Sequence, residues 1–221
     1  HLAKNSLEIK RKIIEKQTER GLYPYSQHYL RDIKKRSGQY WTNHFNTVGV
    51  VGMHEACLNF LGQDKGLTTP EGQAFATRML EYMRSILTDI QEETGHMYNL
   101  EATPAEGTSY RLAQLDQAQF PDIISSGENV PYYTNSSQLP VGFTDDIFET
   151  LDLQDALQSL YTGGTVLHLY MGERISDVEV SKKLIQRIFT KYKLPYLSLT
   201  PTFSICNEHG YIAGEHFECP S

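Results

Sequence analysis

The sequence predicts an α/β fold built from parallel β/α units, and three observations predict it. Strand-like and helix-like stretches alternate almost throughout the chain. The junctions between them fall on glycine or proline signals, and no internal repeat or low-complexity linker divides the run.

The elements follow in order. Leu2, Leu7, Ile9, Ile13 and Ile14, set among Lys, Arg and Glu, predict an amphipathic helix from Leu2 to Arg20 that Gly21 ends. Gly21 to Gly38 holds Pro24 and several tyrosines and reads as an irregular or short helical crossover. "YWTNHFNTVGVVG" is β-branched and aromatic and closes on Gly52, whereupon "MHEACLNFLG" switches to helical spacing, a strand feeding a helix. Thr69 as N-cap and Pro70 at the first position start a long helix that runs to Gly95, with Phe75, Met79, Tyr82, Met83, Ile86, Leu87 and Ile90 as its apolar face.

"HMYNLEATPAEG" predicts a strand running into a loop, with a helix over Thr108 to Gln119 behind it. Phe120 to Gly142 is mostly turn formers, and so long a loop in a folded domain points to function. A short helix over Asp152 to Tyr161, a buried strand in "GGTVLHLYMG", a helix capped by Ser176 and ending at Lys193, and an alternating strand "YLSLTPTFSIC" after Pro195 complete the reading.

Composition narrows the function classes. Twenty Lys and Arg against 27 Asp and Glu, a formal charge of −7, argue against a broad nucleic-acid surface. Three cysteines do not make the even framework of a secreted disulfide protein, so a reducing, cytoplasmic setting is expected. No apolar run approaches the roughly 20 residues of a membrane span, so no membrane partner is expected.

The closing stretch "TPTFSICNEHGYIAGEHFECPS" carries the densest chemistry. Cys206 and His209, then His216 and Cys219, form two close pairs around a turn from Gly210 to Gly214. A pair spaced by two residues lets one tight turn present both donors to a Zn²⁺, which prefers four sulfur or nitrogen ligands. The plainer alternative is a hairpin with surface histidines and packed thiols. Cys57, on the apolar face of its helix, reads as a buried structural thiol. His44 and His54, near the strand-to-helix junction, read as packed by their neighbours rather than as acids or bases.

Two further groups are candidates. "PYYTNSSQLP" lines up Thr134, Asn135, Ser136 and Ser137, whose side chains and backbone N–H groups suit phosphate oxygens; they also suit an ordinary polar turn, and both readings stand. Glu101 and Glu106 flank "ATPA" just after a strand, where β/α folds place catalytic acids and bases.

"NTVGVVGMHEACLNFLG", "NLEATPAEGTSYRLA", "PYYTNSSQLPVG" and "LTPTFSICNEHGYIAGEHFECP", in that order, make the chain resemble the C-terminal part of the anaerobic, glycyl-radical class of ribonucleoside-triphosphate reductases. The resemblance implies part of a ten-stranded β/α barrel over residues 1–199 and the start of a zinc knuckle over 200–221. It implies reduction of ribonucleoside triphosphates by thiyl and glycyl radicals, with Thr134 to Ser137 at the substrate phosphates and Glu101 or Glu106 as proton donor or acceptor. Cys206 and Cys219 match the family's zinc cysteines, His209 stands in a cysteine's place, and a fourth ligand is expected just past Ser221, or at His216 if the site is complete within the chain.

The family's glycyl-radical loop and finger-loop cysteine match nothing in these residues, so this chain alone is expected to be inactive. A radical-SAM activating enzyme and a homodimer are the implied partners. Two competing readings are a non-catalytic zinc-knuckle binding module and a related glycyl-radical lyase. The Thr134 to Ser137 loop and the knuckle argue against the lyase.

Overall fold

The computed structural model describes residues 1–221 except Gly172, Glu173, Arg174, Ser176, Thr202, Gly214, Glu215, Phe217 and Ser221. The elements run α1 (Leu2–Glu19), α2 (Pro24–Tyr29), α3 (Arg31–Ser37), β1 (Asn46–Val50), α4 (Met53–Leu61), α5 (Pro70–Thr94), β2 (Tyr98–Ala102) and α6 (Gly107–Gln119). They continue with α7 (Ile147–Gln158), β3 (Leu167–Met171), α8 (Val178–Lys191), β4 (Leu197–Pro201), β5 (Phe203–Cys206) and β6 (Gly210–Ala213). The chain is α/β. Two compact units divide it: His1–Val48 with Tyr82–Leu100, and Gly49–Glu81 with Glu101–Ser221.

In the first unit, polar side chains of α1 fasten the segments around it. Glu15 accepts the N–H groups of Tyr40 at 2.9 Å and Trp41 at 3.2 Å, while the Trp41 indole donates to Thr18 Oγ1 at 2.9 Å. Arg11 donates to the carbonyls of Trp41 and His44. Glu8 accepts from Tyr98 Oη at 2.6 Å, His96 Nδ1 at 2.9 Å and Asn46 Nδ2 at 3.2 Å. Of the expected apolar stripe, only Leu7 and Ile14 are half-buried; Leu2, Ile9 and Ile13 are exposed, so α1 is held as much by these bonds as by its apolar face.

β1 and β2 pair with each other. Asn46 N–H donates to Met97 at one end and Thr103 N–H to Val50 at the other, so the strands run the same way. The α5 face is rotated from its expected setting. Ala76, Leu80, Leu87 and Ile90 are buried, whereas Met79 and Tyr82 are exposed, because the buried positions follow the i, i+4, i+7 rule from a small residue that permits close approach. At its start Thr69 does cap the helix, accepting Gly72 N–H at 3.2 Å.

In the second unit, β3 and β4 pair in parallel from Leu167 opposite Leu197 to Met171 opposite Pro201, with α8 as the crossover. Leu167, Leu169 and Met171 are buried while Tyr170 is 66% exposed, so β3 is covered on one face rather than two. Leu151, Leu167, Leu169, Ile188, Tyr192 and Leu194 form the core between the strands and helices α7 and α8.

Three boundaries differ from the sequence reading. Helix α7 starts at Ile147, not Asp152, because the Asp146 carboxylate accepts the N–H groups of Phe148 and Glu149. "YLSLTPTFSIC" is two strands in different sheets: β4 ends at Pro201, which has no N–H to continue a ladder, and β5 pairs instead with β6 as an antiparallel hairpin. Asp177 caps α8, and the expected cap Ser176 lies outside the described residues, as do Gly214 and Ser221 of the closing stretch. Among the described residues no helix is long and apolar enough to cross a membrane.

Candidate functional site

β1 and β2 are parallel neighbours, so the turns after them, residues 51–52 and 103–106, leave from the same sheet edge. Carboxyl ends of parallel strands are where α/β folds bind ligands. Gly52 makes the first turn at φ +77, with Tyr133 packed where a side chain would stand, and it delivers the chain into α4.

The loop Thr134–Ser137 is seated on the start of α4. Gly52 N–H donates to the Thr134 carbonyl at 2.8 Å and Met53 N–H to the Ser136 carbonyl at 3.0 Å. Glu55 completes the seat. Only 1% exposed, it accepts Thr134 N–H at 3.1 Å on each oxygen, and its Oε1 accepts the Thr134 and Ser126 hydroxyls at 2.6 Å each. A turn closed by Gln138 N–H to the Asn135 carbonyl places Ser136 at φ +44.

The four loop side chains divide by what they touch. Thr134 is committed to Glu55, and Ser137 accepts from Tyr161 Oη at 3.0 Å, burial holding that phenol up at about 12. Asn135 is half-buried. Ser136 is buried, and among the described residues its hydroxyl has no hydrogen-bond partner. Glu55 escaped the sequence reading, since a lone glutamate in the first turn of a helix reads as a solvated dipole partner.

Glu101 is half-buried near the end of β2, where it forms a parallel bridge with Gly164. Glu106 is exposed and precedes α6 as its N-cap; it and Ala105 both have positive φ, at +39 and +61. Two consecutive non-glycine residues at positive φ mark a loop whose surroundings hold it against its local preference.

His54 and Cys57 lie behind the loop in α4. The His54 Nδ1 accepts Leu67 N–H at 3.2 Å, and burial, opposed by the Glu55 charge, holds its pKa below 6.5. The Cys57 thiol is fully buried, donates to the Gly72 carbonyl at 3.7 Å, and is pushed up to about 11 by burial and the Glu55 charge, which makes it a poor nucleophile. His44 is likewise lowered, by burial and by Arg11.

At the β5–β6 hairpin, Cys206 ends one strand, residues 207–209 turn, and Cys206 pairs with Gly210. Cys206 Sγ lies 3.6 Å and Cys219 Sγ 3.3 Å from His209 Nδ1, and the three donor atoms lie within 4.8 Å of one another. Donors about 2.0 to 2.3 Å from a tetrahedral zinc stand roughly 3.3 to 3.8 Å apart, and both separations from His209 fall in that range. N–H groups of His209 and Glu208, with the His209 ring and Cys219, pull the Cys206 thiol down to about 7, toward the thiolate a metal requires. His216 is outside the trio; its backbone N–H donates to Ser204 Oγ at 2.7 Å.

The anaerobic ribonucleoside-triphosphate reductase of Escherichia coli (strain K12) is 27% identical over 177 residues, which are 79% of this chain and 24% of that protein. That of Enterobacteria phage T4 is 29% identical over 137 residues, 60% of this chain and 20% of its own. The chain spans about a quarter or less of the length of these curated relatives. Among solved structures, the anaerobic ribonucleotide reductase from Thermotoga maritima with MES in the active site superposes with a TM-score of 0.73 at 25% identity, covering 99% of this chain and 35% of that one. Its form with glycerol in the active site gives 0.72 at 24% identity over 97% and 33%. The family model described as anaerobic ribonucleoside-triphosphate reductase matches residues 1–221, and the chain belongs to that family.

Proposed function

We propose that this chain forms part of the catalytic body of an anaerobic ribonucleoside-triphosphate reductase, an enzyme that converts ribonucleotides to deoxyribonucleotides by glycyl and thiyl radical chemistry. The observation that carries the reading is the match along the whole chain, together with a polar loop seated at the carboxyl ends of parallel strands. Residues 1–199 would contribute to the family's ten-stranded barrel and residues 200–221 to its zinc knuckle. A radical-SAM activating enzyme and a second copy of the enzyme are the partners this assigns.

In this reading the Thr134–Ser137 loop holds the substrate phosphates. One solved relative is described in complex with dATP and CTP, and with Thr134 held by Glu55 the side chains left to meet a phosphate are Asn135 and Ser136. Glu101 or Glu106 would move a proton at the ribose, since one lies near the end of β2 and the other in the turn that follows it. Cys206, His209 and Cys219 would hold zinc, which would tie the hairpin to the segment around Cys219 and take no part in the reduction.

The test is a titration of the isotopically labelled chain with cytidine triphosphate, followed by amide NMR. The reading expects the amides of residues 134–137 and 103–107 to shift together in a saturable way. Shifts absent there, or confined to the stretch of α8 that carries Lys183, Arg187 and Lys191, would overturn it.

A further inference from the structure

The buried Glu55 is a group that the proposed reaction leaves without a role. Its partners are two hydroxyls and one backbone N–H, and among the described residues no lysine or arginine pairs with it. An ionised carboxylate in such a place is costly unless hydrogen-bond donors surround it, and here they come from the loop it faces. A carboxylate accepts and never donates, so it can take both donors of Thr134 at once; an amide of the same shape must turn an NH₂ toward one of them.

The bonds around it act together. Gly52 and Met53 hold the Thr134 and Ser136 carbonyls from one side, and Glu55 holds the Thr134 N–H and hydroxyl from the other. Thr134 is thereby spent on the scaffold. Two residues on, Ser136 is kept left-handed with an unpaired hydroxyl inside the protein. Each of those features is unfavourable by itself, and a loop free to relax would lose both. Something must hold it, and Glu55 is the side chain placed to do so.

We propose that Glu55 is the positioning residue of the nucleotide loop: through Thr134 it clamps the loop onto the start of α4 and keeps the Ser136 turn in its strained, ligand-ready form. Glu55 itself touches no substrate. The proposal rests on the reading of the loop as the phosphate cradle, and the experiment separates the two.

Cytidine triphosphate affinity would be measured by NMR titration of the chain for the unmodified protein, Glu55→Gln, Thr134→Val, the double variant and Ser136→Ala, with melting temperatures alongside. Glu55→Gln should weaken binding by about tenfold, the loss of one charge-assisted hydrogen bond at the loop. If Glu55 acts through Thr134, the double variant should lose no more than Glu55→Gln alone. Glu8→Gln breaks a carboxylate cluster in the other unit and serves as the control; it should lower the melting temperature and leave affinity unchanged.

Full affinity in Glu55→Gln, or losses that add in the double variant, would overturn the proposal while a weakened Ser136→Ala keeps the loop as the binding site. Equal loss in Glu8→Gln would reduce Glu55 to general stability and overturn it as well. No binding by the unmodified chain would overturn the loop reading and, with it, the role of Glu55.

Discussion

At Ser136 a non-glycine residue is left-handed and its hydroxyl is buried without a partner. Glycine removes both penalties, so Ser136→Gly should raise stability by about 1 kcal/mol in chemical denaturation, the strain relieved outweighing the added chain entropy. A drop in stability would show that the conformation is unstrained. His54 gives a second expectation. Burial lowers its folded pKa below the ordinary 6.5, and its unprotonated Nδ1 accepts Leu67 N–H. The unfolded chain therefore binds the proton more readily, so this contribution is complete above about pH 6.5 and is lost as pH falls below it. His54→Gln should flatten the pH dependence of the melting temperature between pH 6.5 and 5; an unchanged slope would exclude His54 as its source.

Among the elements, α1 and β2 are joined by a carboxylate. Burial works against ionised Glu8, but hydrogen bonds from Tyr98 and His96 and the charges of His96 and Arg11 prevail and hold its pKa below 4.5. Its stabilisation is thus present above about pH 4.5 and fades as pH falls through the lowered value. Glu8→Gln should cost about 1 to 3 kcal/mol at neutral pH and progressively less as pH falls below 4.5, read from denaturant melts across that range. The hairpin β5–β6 carries another expectation. The chain should hold close to one zinc by elemental mass spectrometry, and Cys219→Ser should lose most of it, whereas His216→Ala should not, because His216 lies outside the trio of donors. Equal loss in both variants would place His216 among the ligands.

Taken over the whole molecule, the second unit depends on the core shared by α7, α8, β3 and β4. Leu151 is completely buried there, and Leu151→Ala should cost about 2 to 5 kcal/mol. A loss under 1 kcal/mol would mean that the core is loosely packed. Much of this architecture was legible from sequence. Thr69 and Pro70 announced α5, Gly52 announced the turn into α4, and the pairs around His209 announced a place where three donors converge. Each is a local signal, carried by a side chain that caps its own helix, bends its own backbone, or reaches a donor a few residues away.

What the sequence alone determined, then, is the kind of chain: alternating β/α units, no helix suited to a membrane, a family signature, and the segments that hold the chemistry. The tertiary structure decided the rest, for two physical reasons. The buried face of α5 follows its neighbours rather than its largest side chains, so Met79 faces solvent while Ala76 does not. Glu55 meets Thr134 across 79 positions of sequence, and such a partnership exists only when folding has removed the water that would otherwise satisfy both groups.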